Sequence, residues 1–261
     1  MKPTRNPFTA APSRAGSVNT IGVGSRGMGA GKRCALLRRG YLLAATLVIS
    51  APQANAASAW WDNTGGVTLN DWGSIANWST TVAGGTNPAS IPGTATADLA
   101  TFSITGQLGI VQTVNLNAAR SLGELSFTNT AAISLLGGSG NQTLTLAGIT
   151  AVGITKSGTG AVTIGSATAG QQVALALSAN QSFTNNNNTG AINILNGVAS
   201  STAVARTLTL NGTSTAANTI SGTIANNGAG IMSLIKAGAG TWVLSGANTY
   251  TGVTTVSLGT L

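Results

Sequence analysis

The chain has 261 residues, of which 43% are hydrophobic and only 6% charged, and its formal net charge is +8. Eight of the twelve Lys and Arg residues precede residue 40, so the remainder holds four basic and four acidic residues and is neutral. A neutral chain has no basic surface to neutralise phosphates, which excludes a nucleic-acid partner. Because the sequence contains no histidine, nucleophile systems that use His as the base are excluded as well.

Residues 1–56 have the parts of a secretory signal in order. A basic stretch precedes the apolar run YLLAATLVISA, and PQANA follows with small residues at Ala54 and Ala56. The run is too short to span a bilayer as a helix, so we predict a disordered or helical leader that is cleaved after Ala56. Met28 could be the true start, and RRGYL leaves Sec and twin-arginine export open. Cys34 is the single cysteine and leaves with the leader, so the exported chain has no disulfide.

Residues 57–98 form a segment rich in tryptophan. A solenoid needs a terminal cap over its apolar column, and large aromatic side chains suit that role, so we predict an N-terminal cap here. The alternative is a secreted glycan-binding module in which these rings stack on sugars. Four of the five tryptophans lie in the segment: Trp60, Trp61, Trp72 and Trp78.

Residues 99–261 consist of short alternating runs such as QTLTLAG, VALAL and RTLTLNG, separated by Gly, Asn and Ser. This alternation with a period of two, bounded by turn residues, predicts strands and no helix. With few charges to protect strand edges, we expect the strands to stack coil on coil in a right-handed parallel β-helix. A β-sandwich or stacked hairpins would be the alternative all-β fold.

Two segments of this region align as degenerate repeats. ITKSGTGAVTIG at 154–165 matches LIKAGAGTWVLSG at 234–246, and one alignment places both Lys156 against Lys236 and Ile164 against Leu244. At roughly 20–25 residues per coil, typical of such arrays, the exported chain would form about eight or nine coils. The run Asn185–Asn188 is expected at a corner, because Asn accepts positive φ.

Residues 234–261 resemble the autotransporter-associated β-strand repeat, also called the passenger-associated transport repeat. That pattern runs Lys-x-Gly-x-Gly, an apolar strand, Leu-Ser-Gly-x-Asn-x-Tyr-x-Gly, a Thr-rich strand and Gly-Thr-Leu. The segment 154–165 keeps only the first half of the pattern. The matching positions, which we predict to be structural, include Lys236, Gly238, Gly240, Leu244, Ser245, Gly246, Asn248, Tyr250, Gly252 and Gly259.

The resemblance implies the β-helical passenger region of a large exported bacterial protein. It implies a location at the cell surface or outer membrane, or outside the cell, of a Gram-negative-type bacterium, and repeats that assist secretion across the outer membrane. The implied partners are the outer-membrane translocation machinery or a barrel domain missing from this chain, and host or cell-surface glycans or proteins. We therefore expect a fragment of a longer protein with a structural or adhesive role.

The acidic residues argue against an enzyme. Polysaccharide hydrolases need two carboxylates held close together, whereas the four acids of the exported chain are scattered. No carboxylate side chain occurs after residue 124, and no mature cysteine or histidine could hold zinc. We expect no catalytic residue, cofactor or metal. The four acids are Asp62, Asp71, Asp98 and Glu124.

Overall fold

The computed structural model describes residues 58–61, 71–81, 86–104 and 111–261, all within one compact unit. The leader predicted at 1–56, with Met28 and Cys34, lies outside the described residues. The described part is all-β, interrupted only by a 3₁₀ turn at Ile75–Asn77. Within these ranges, no helix is long and apolar enough to cross a membrane.

The strands form three sheets of nine, six and five strands. Along the chain, successive strands pass from the first sheet to the second and then to the third. The first sheet contains β1 (Ser58–Trp61), β2 (Trp78–Ser79), β3 (Leu99–Phe102), β6 (Glu124–Phe127), β9 (Val152–Lys156), β12 (Gln181–Asn185), β15 (Arg206–Asn211), β18 (Met232–Lys236) and β20 (Thr254–Val256). The second contains β4 (Gln112–Asn115), β7 (Ile133–Leu136), β10 (Val162–Ile164), β13 (Ile192–Ile194), β16 (Asn218–Ile220) and β19 (Trp242–Leu244). The third contains β5 (Arg120–Leu122), β8 (Gln142–Leu146), β11 (Val173–Leu177), β14 (Val198–Ser200) and β17 (Ile224–Ala225).

This arrangement is a parallel β-solenoid, which confirms the predicted fold class. From β3 to β16 every strand pairs in parallel with its equivalent in the next coil, which excludes the sandwich and hairpin alternatives. The fifteen strands from β3 to β17 make five complete coils, so the prediction of eight or nine is wrong. Coils are longer than expected: Leu125 pairs with Ile154 and Ile154 with Phe183, and each of these steps along the chain exceeds the predicted coil length.

The core is a set of columns that run from coil to coil. In β7, Ile133 and Leu135 are buried while Ser134 and Leu136 are half-buried, as the alternation of side chains along a strand requires. Truncating an aliphatic side chain in such a column costs about 2–5 kcal/mol, since the cavity adds to the lost transfer free energy. One column of the second sheet consists of Val114, Leu135, Ile164, Ile194 and Ile220, all fully buried.

An aromatic cluster lies at the N-terminal end of the columns. β1 pairs in parallel with β3, whereas β2 pairs antiparallel with β1 and is the outermost strand of the first sheet. Trp61 packs edge-on against Trp78 with 5.1 Å between ring centroids, and Phe102 stacks on Phe127 at 5.2 Å. The antiparallel strand and the rings thus cover the first coil, although the boundary at residue 98 stays a prediction.

The asparagines of the run 185–188 form hydrogen bonds and do not adopt positive φ. Among the described residues, only Asn117 and Ala151 are non-glycine positions with positive φ, so the reason expected for Asn185–Asn188 is wrong. Residues 186–188 do lie at a corner, whereas Asn185 is the last residue of β12. At this corner Asn187 Nδ2 donates to Ser157 O of the preceding coil at 3.1 Å. The amide side chains therefore satisfy backbone groups that the turns leave unpaired.

Candidate functional site at the repeat motif

The repeat motif begins with a buried lysine. Lys236 is the last residue of β18, where its backbone pairs with Leu210 on one side and Val256 on the other. The alternation of the strand points its side chain inward, and it is 0% exposed. Its Nζ donates to the carbonyl oxygens of Ala237 at 2.9 Å, Gly238 at 2.7 Å and Leu258 at 3.0 Å. Burial lowers the pKa of the Lys236 ammonium.

Two glycines shape the turn around this ammonium. Gly238 has φ +71°, the left-handed region that favours glycine. Gly240 approaches the preceding coil so closely that a Cβ would lie 2.5 Å from Ser214 O, and its N–H donates to Gly212 O at 2.9 Å. The Lys-x-Gly-x-Gly pattern therefore supplies a cation, a turn whose carbonyls face it and a close approach between coils.

The middle of the motif forms β19 and the corner after it. Leu244 pairs with Ile220 and packs against the core. Ser245 N donates to Ile220 O at 3.1 Å. A Cβ at Gly246 would lie 2.7 Å from the carbonyl carbon of Gly222, so glycine is required by the contact between the two corners.

The third part of the motif replaces a strand of the third sheet. The Oδ1 of Asn248 accepts a hydrogen bond from Ile224 N at 2.8 Å, where a backbone carbonyl would otherwise lie. The hydroxyl groups of Tyr250 and Thr254 are 2.7 Å apart, and Gly252 N donates to Met232 O at 3.0 Å. These contacts fix the corner that leads into β20.

Gly259 completes the motif by returning the chain over the lysine turn. Its φ is +77°, and a Cβ there would lie 2.6 Å from Lys236 Nζ. The neighbouring Thr260 N donates to Gly240 O at 3.2 Å. The residues predicted from the motif thus lie in one coil and the start of the next, where each contacts the backbone or the core.

The earlier copy of the motif also ends its strand with a buried lysine, but this lysine has fewer carbonyl partners. Lys156 is the last residue of β9, is 1% exposed and donates from Nζ to Gly158 O at 2.6 Å. Burial lowers the pKa of Lys156 to about 8. Both lysines therefore bind the carbonyl of the glycine that follows in the Lys-x-Gly pattern.

Three of the four tryptophans of the predicted glycan-contact surface are buried. Trp61 is 2% exposed, Trp72 and Trp78 are 0% exposed, and Trp60 is half-buried. The indole N–H groups are also used: Trp72 Nε1 donates to Pro92 O at 2.7 Å, and Trp78 Nε1 to Trp72 O at 2.9 Å. The rings of Trp61, Trp72 and Trp78 are buried against each other and have no free face on which a sugar could stack.

The acidic residues in the described ranges bind other parts of the chain. Asp98 is buried and accepts from the backbone N–H groups of Gly93, Thr94 and Ala95 at 2.9, 3.0 and 2.9 Å. Glu124 accepts from Thr155 Oγ1 at 2.8 Å. Asp62 lies outside the described residues. In the part of the chain that the structure describes, no group of three or more His, Cys, Asp or Glu residues could hold a metal ion.

Fold and motif together define a class: a parallel β-solenoid that carries a passenger-associated transport repeat. Residues 234–261 match the family described as Passenger-associated-transport-repeat, which confirms the resemblance seen in the sequence. A segment of 57 residues is 47% identical to the adhesin BmaC autotransporter of Brucella suis biovar 1 (strain 1330). The match covers 22% of this chain and only 2% of that protein, so the chain spans a small part of the relative. No solved structure matches.

Proposed function

We propose that this chain is part of an exported, non-catalytic and adhesive passenger region that is displayed on the surface of a Gram-negative-type bacterium. The observation that carries the proposal is the passenger-associated transport repeat at 234–261, which lies in a parallel β-solenoid. The similarity to a protein named as an autotransporter adhesin supports the adhesive role. Its partners would be an outer-membrane translocator barrel and a glycan or protein on a host or neighbouring cell.

The solenoid geometry supports a role of the repeats in secretion. Strands pair almost entirely with their equivalents in adjacent coils, as β12 does with β9 and β15. Such arrays are stabilised by contacts between neighbouring units, so coils can fold one after another as the chain leaves the membrane. Coil-by-coil folding would favour outward movement, since a folded coil cannot return.

The contacts of the acids support the non-catalytic part of the proposal. Asp98 and Glu124 accept hydrogen bonds from backbone or hydroxyl groups, and Asp71 Oδ1 accepts from Gly73 N at 2.8 Å. Carboxylates engaged in this way stabilise turns and strands. We expect the wild type to show no hydrolytic activity towards polysaccharides. An activity that disappears when all four acids are replaced with their amides would contradict the proposal.

A display assay tests the proposal. The full chain would be joined to an autotransporter barrel and expressed in a non-adherent Gram-negative host, and surface exposure and adhesion to host cells would be measured. We expect display and adhesion, and a severalfold loss of display when 234–261 is deleted. The control deletes 181–205, the coil of β12 to β14, and should retain more display. Absence of adhesion in displayed chains, or equal display in both deletions, would contradict the proposal.

A further inference from the structure

We propose that Lys236 is a latch between coils: its ammonium occupies a site made by main-chain carbonyls of two successive coils and so holds residues 253–260 in place. Two of the carbonyls belong to its own turn, Ala237 and Gly238, at 2.9 and 2.7 Å. The third, Leu258 O, belongs to the next coil and is 3.0 Å away. The side chain thus connects the end of β18 to the segment after β20.

The chemistry of this site is that of a small monovalent cation bound by carbonyl oxygens. An ammonium has three protons and no acceptor, and here each proton has one carbonyl. Main-chain carbonyls can replace the water around a cation in the same way. Because the side chain is 0% exposed, water cannot take over a lost contact. Removal of any one carbonyl would leave a buried charge partly unpaired.

The segment that the latch holds also pairs with the preceding coil through its backbone, where β20 lies beside β18. Its backbone contacts include Ser257 N to Lys236 O at 2.9 Å and Thr260 N to Gly240 O at 3.2 Å. The contact from Lys236 Nζ to Leu258 O adds a charged hydrogen bond to this backbone pairing.

Lys156 provides a matched comparison within the same chain. It ends β9 as Lys236 ends β18, and its Nζ contacts Gly158 O of its own turn. The residue that follows it in the ladder is Asn185, which is buried and donates to Gly190 O at 2.9 Å and to Asn218 Oδ1. In the coils that follow Lys156, the side-chain amides of Asn185 and Asn218 therefore supply the contacts between coils. Among the described residues, Lys156 therefore lacks the latch contact while sharing burial, charge and its place at the end of a strand.

The biological consequence of the latch rests on the proposed function. If the repeats fold coil by coil during export, Lys236 reaches its full set of partners only when the next coil has arrived. The latch would then mark the completion of the coil and resist its reopening.

Hydrogen–deuterium exchange on the exported full chain tests the latch. We expect Lys236→Met to increase exchange at residues 253–260 at least tenfold and to leave β9 to β15 unchanged. Lys156→Met should leave 253–260 unchanged. Unchanged exchange in Lys236→Met, or equal loss of protection in both variants, would overturn the proposal.

Chemical rescue keeps the test decisive if Lys236→Met does not fold. Lys236→Ala would be compared in ammonium, potassium and tetramethylammonium chloride at equal ionic strength. We expect the two small cations to restore protection of 253–260, and the large one to have no effect. Equal protection in all three salts would overturn the latch. Loss of the latch effect in a chain that is still displayed and adhesive would leave the proposed function intact.

Discussion

Burial lowers the pKa of both inward-facing lysines, Lys156 and Lys236. Each is the last residue of a strand of the first sheet, and its side chain points inward. In the contacts described above, carbonyl oxygens and not a carboxylate compensate the charge of its ammonium group. Within the described part of the chain, Lys156 has one such carbonyl and Lys236 has three. The cost of burying the charge is therefore less fully offset at Lys156, where burial lowers the pKa to about 8.

This pKa makes stability depend on pH in a defined direction. The folded chain loses the Lys156 proton near pH 8 and the unfolded chain near 10.5, so the unfolded state binds more protons between these values. The free energy of unfolding should rise with pH across this window, by up to about 3 kcal/mol at 1.36 kcal/mol per pKa unit. Urea unfolding at several pH values measures the slope.

Lys156→Met is the control for that slope. The variant removes the group, so its rise between pH 8 and 10.5 should be smaller than that of the wild type. A residual rise is expected from Lys236, whose pKa burial also lowers. Identical slopes in the wild type and Lys156→Met would show that Lys156 does not titrate in this range.

Glycine 246 illustrates a residue that the packing of corners requires. In Gly246→Ala the new methyl group would lie 2.7 Å from the carbonyl carbon of Gly222, so the backbone of one corner must move. We expect destabilisation by about 1–3 kcal/mol, as for other overpacked sites. Gly140→Ala is the matched control, because the nearest atom to its Cβ is 3.7 Å away. Chemical denaturation of both variants decides the point, and equal stability would contradict it.

At the scale of elements, buried amides connect strands that aliphatic columns cannot align alone. Asn218, the first residue of β16, accepts from Ile192 N at 3.0 Å and from Asn185 Nδ2 at 2.6 Å. Its own Nδ2 donates to Thr241 O at 2.9 Å. This side chain therefore contacts the coil below and the coil above.

Replacement of Asn218 should be costly for that reason. Asn218→Ala would leave several buried polar groups without partners, and we expect a loss of about 2–4 kcal/mol at roughly 1–3 kcal/mol per buried group. Asn193→Ala is the control, since Asn193 is half-buried and its Oδ1 accepts from Thr219 Oγ1 on the outer face. A urea midpoint for Asn218→Ala close to that of Asn193→Ala would argue against the network.

The elements also show what the sequence could predict and what it could not. The alternation with a period of two was sufficient to predict the strands. The lack of charges at strand edges was sufficient to predict that the strands stack in parallel, coil on coil. The aligned copies at Ile164 and Leu244 are indeed in one column of the second sheet, as the alignment of the repeats requires. In the first sheet, however, Lys236 continues the column of Ile154 and not that of Lys156, with which the same alignment pairs it.

That shift arises at the corner between β18 and β19, which is shorter than the corner between β15 and β16. Gly238, with φ +71°, makes this tight turn directly against Gly212 O of the preceding coil. Corner length depends on such turns and leaves little trace in the alternating pattern, so the coil number and the partner Leu258 O could not be predicted. The burial of Trp61 was equally undecidable, because tryptophan suits both cores and sugar-binding faces.

At the scale of the whole molecule, corners should tolerate changes that strands do not. Residues 167–170 are exposed, and Gly170 has no atom within 4 Å of a Cβ position. A short Gly and Ser insertion after Gly170 should change the free energy of unfolding by only about 0.5 kcal/mol, because loop entropy grows slowly with length. A single residue inserted between Leu175 and Ala176 should abolish cooperative unfolding, since it turns inward residues of β11 outward. Circular dichroism melts of both insertions measure the contrast, and equal melting would contradict it.

The parallel ladders would have a mechanical consequence in the proposed adhesive role, in which the molecule tethers a cell. Hydrogen bonds between strands run from one coil to the next, so these ladders carry a pull along the solenoid axis, and the coil at the pulled end can peel away strand by strand. A released coil, such as the one that separates Leu125 from Ile154, would free about 100 Å of extended chain at roughly 3.3–3.6 Å per residue. Under tension the tether would lengthen coil by coil, and each step would limit the force that reaches the adhesive contact.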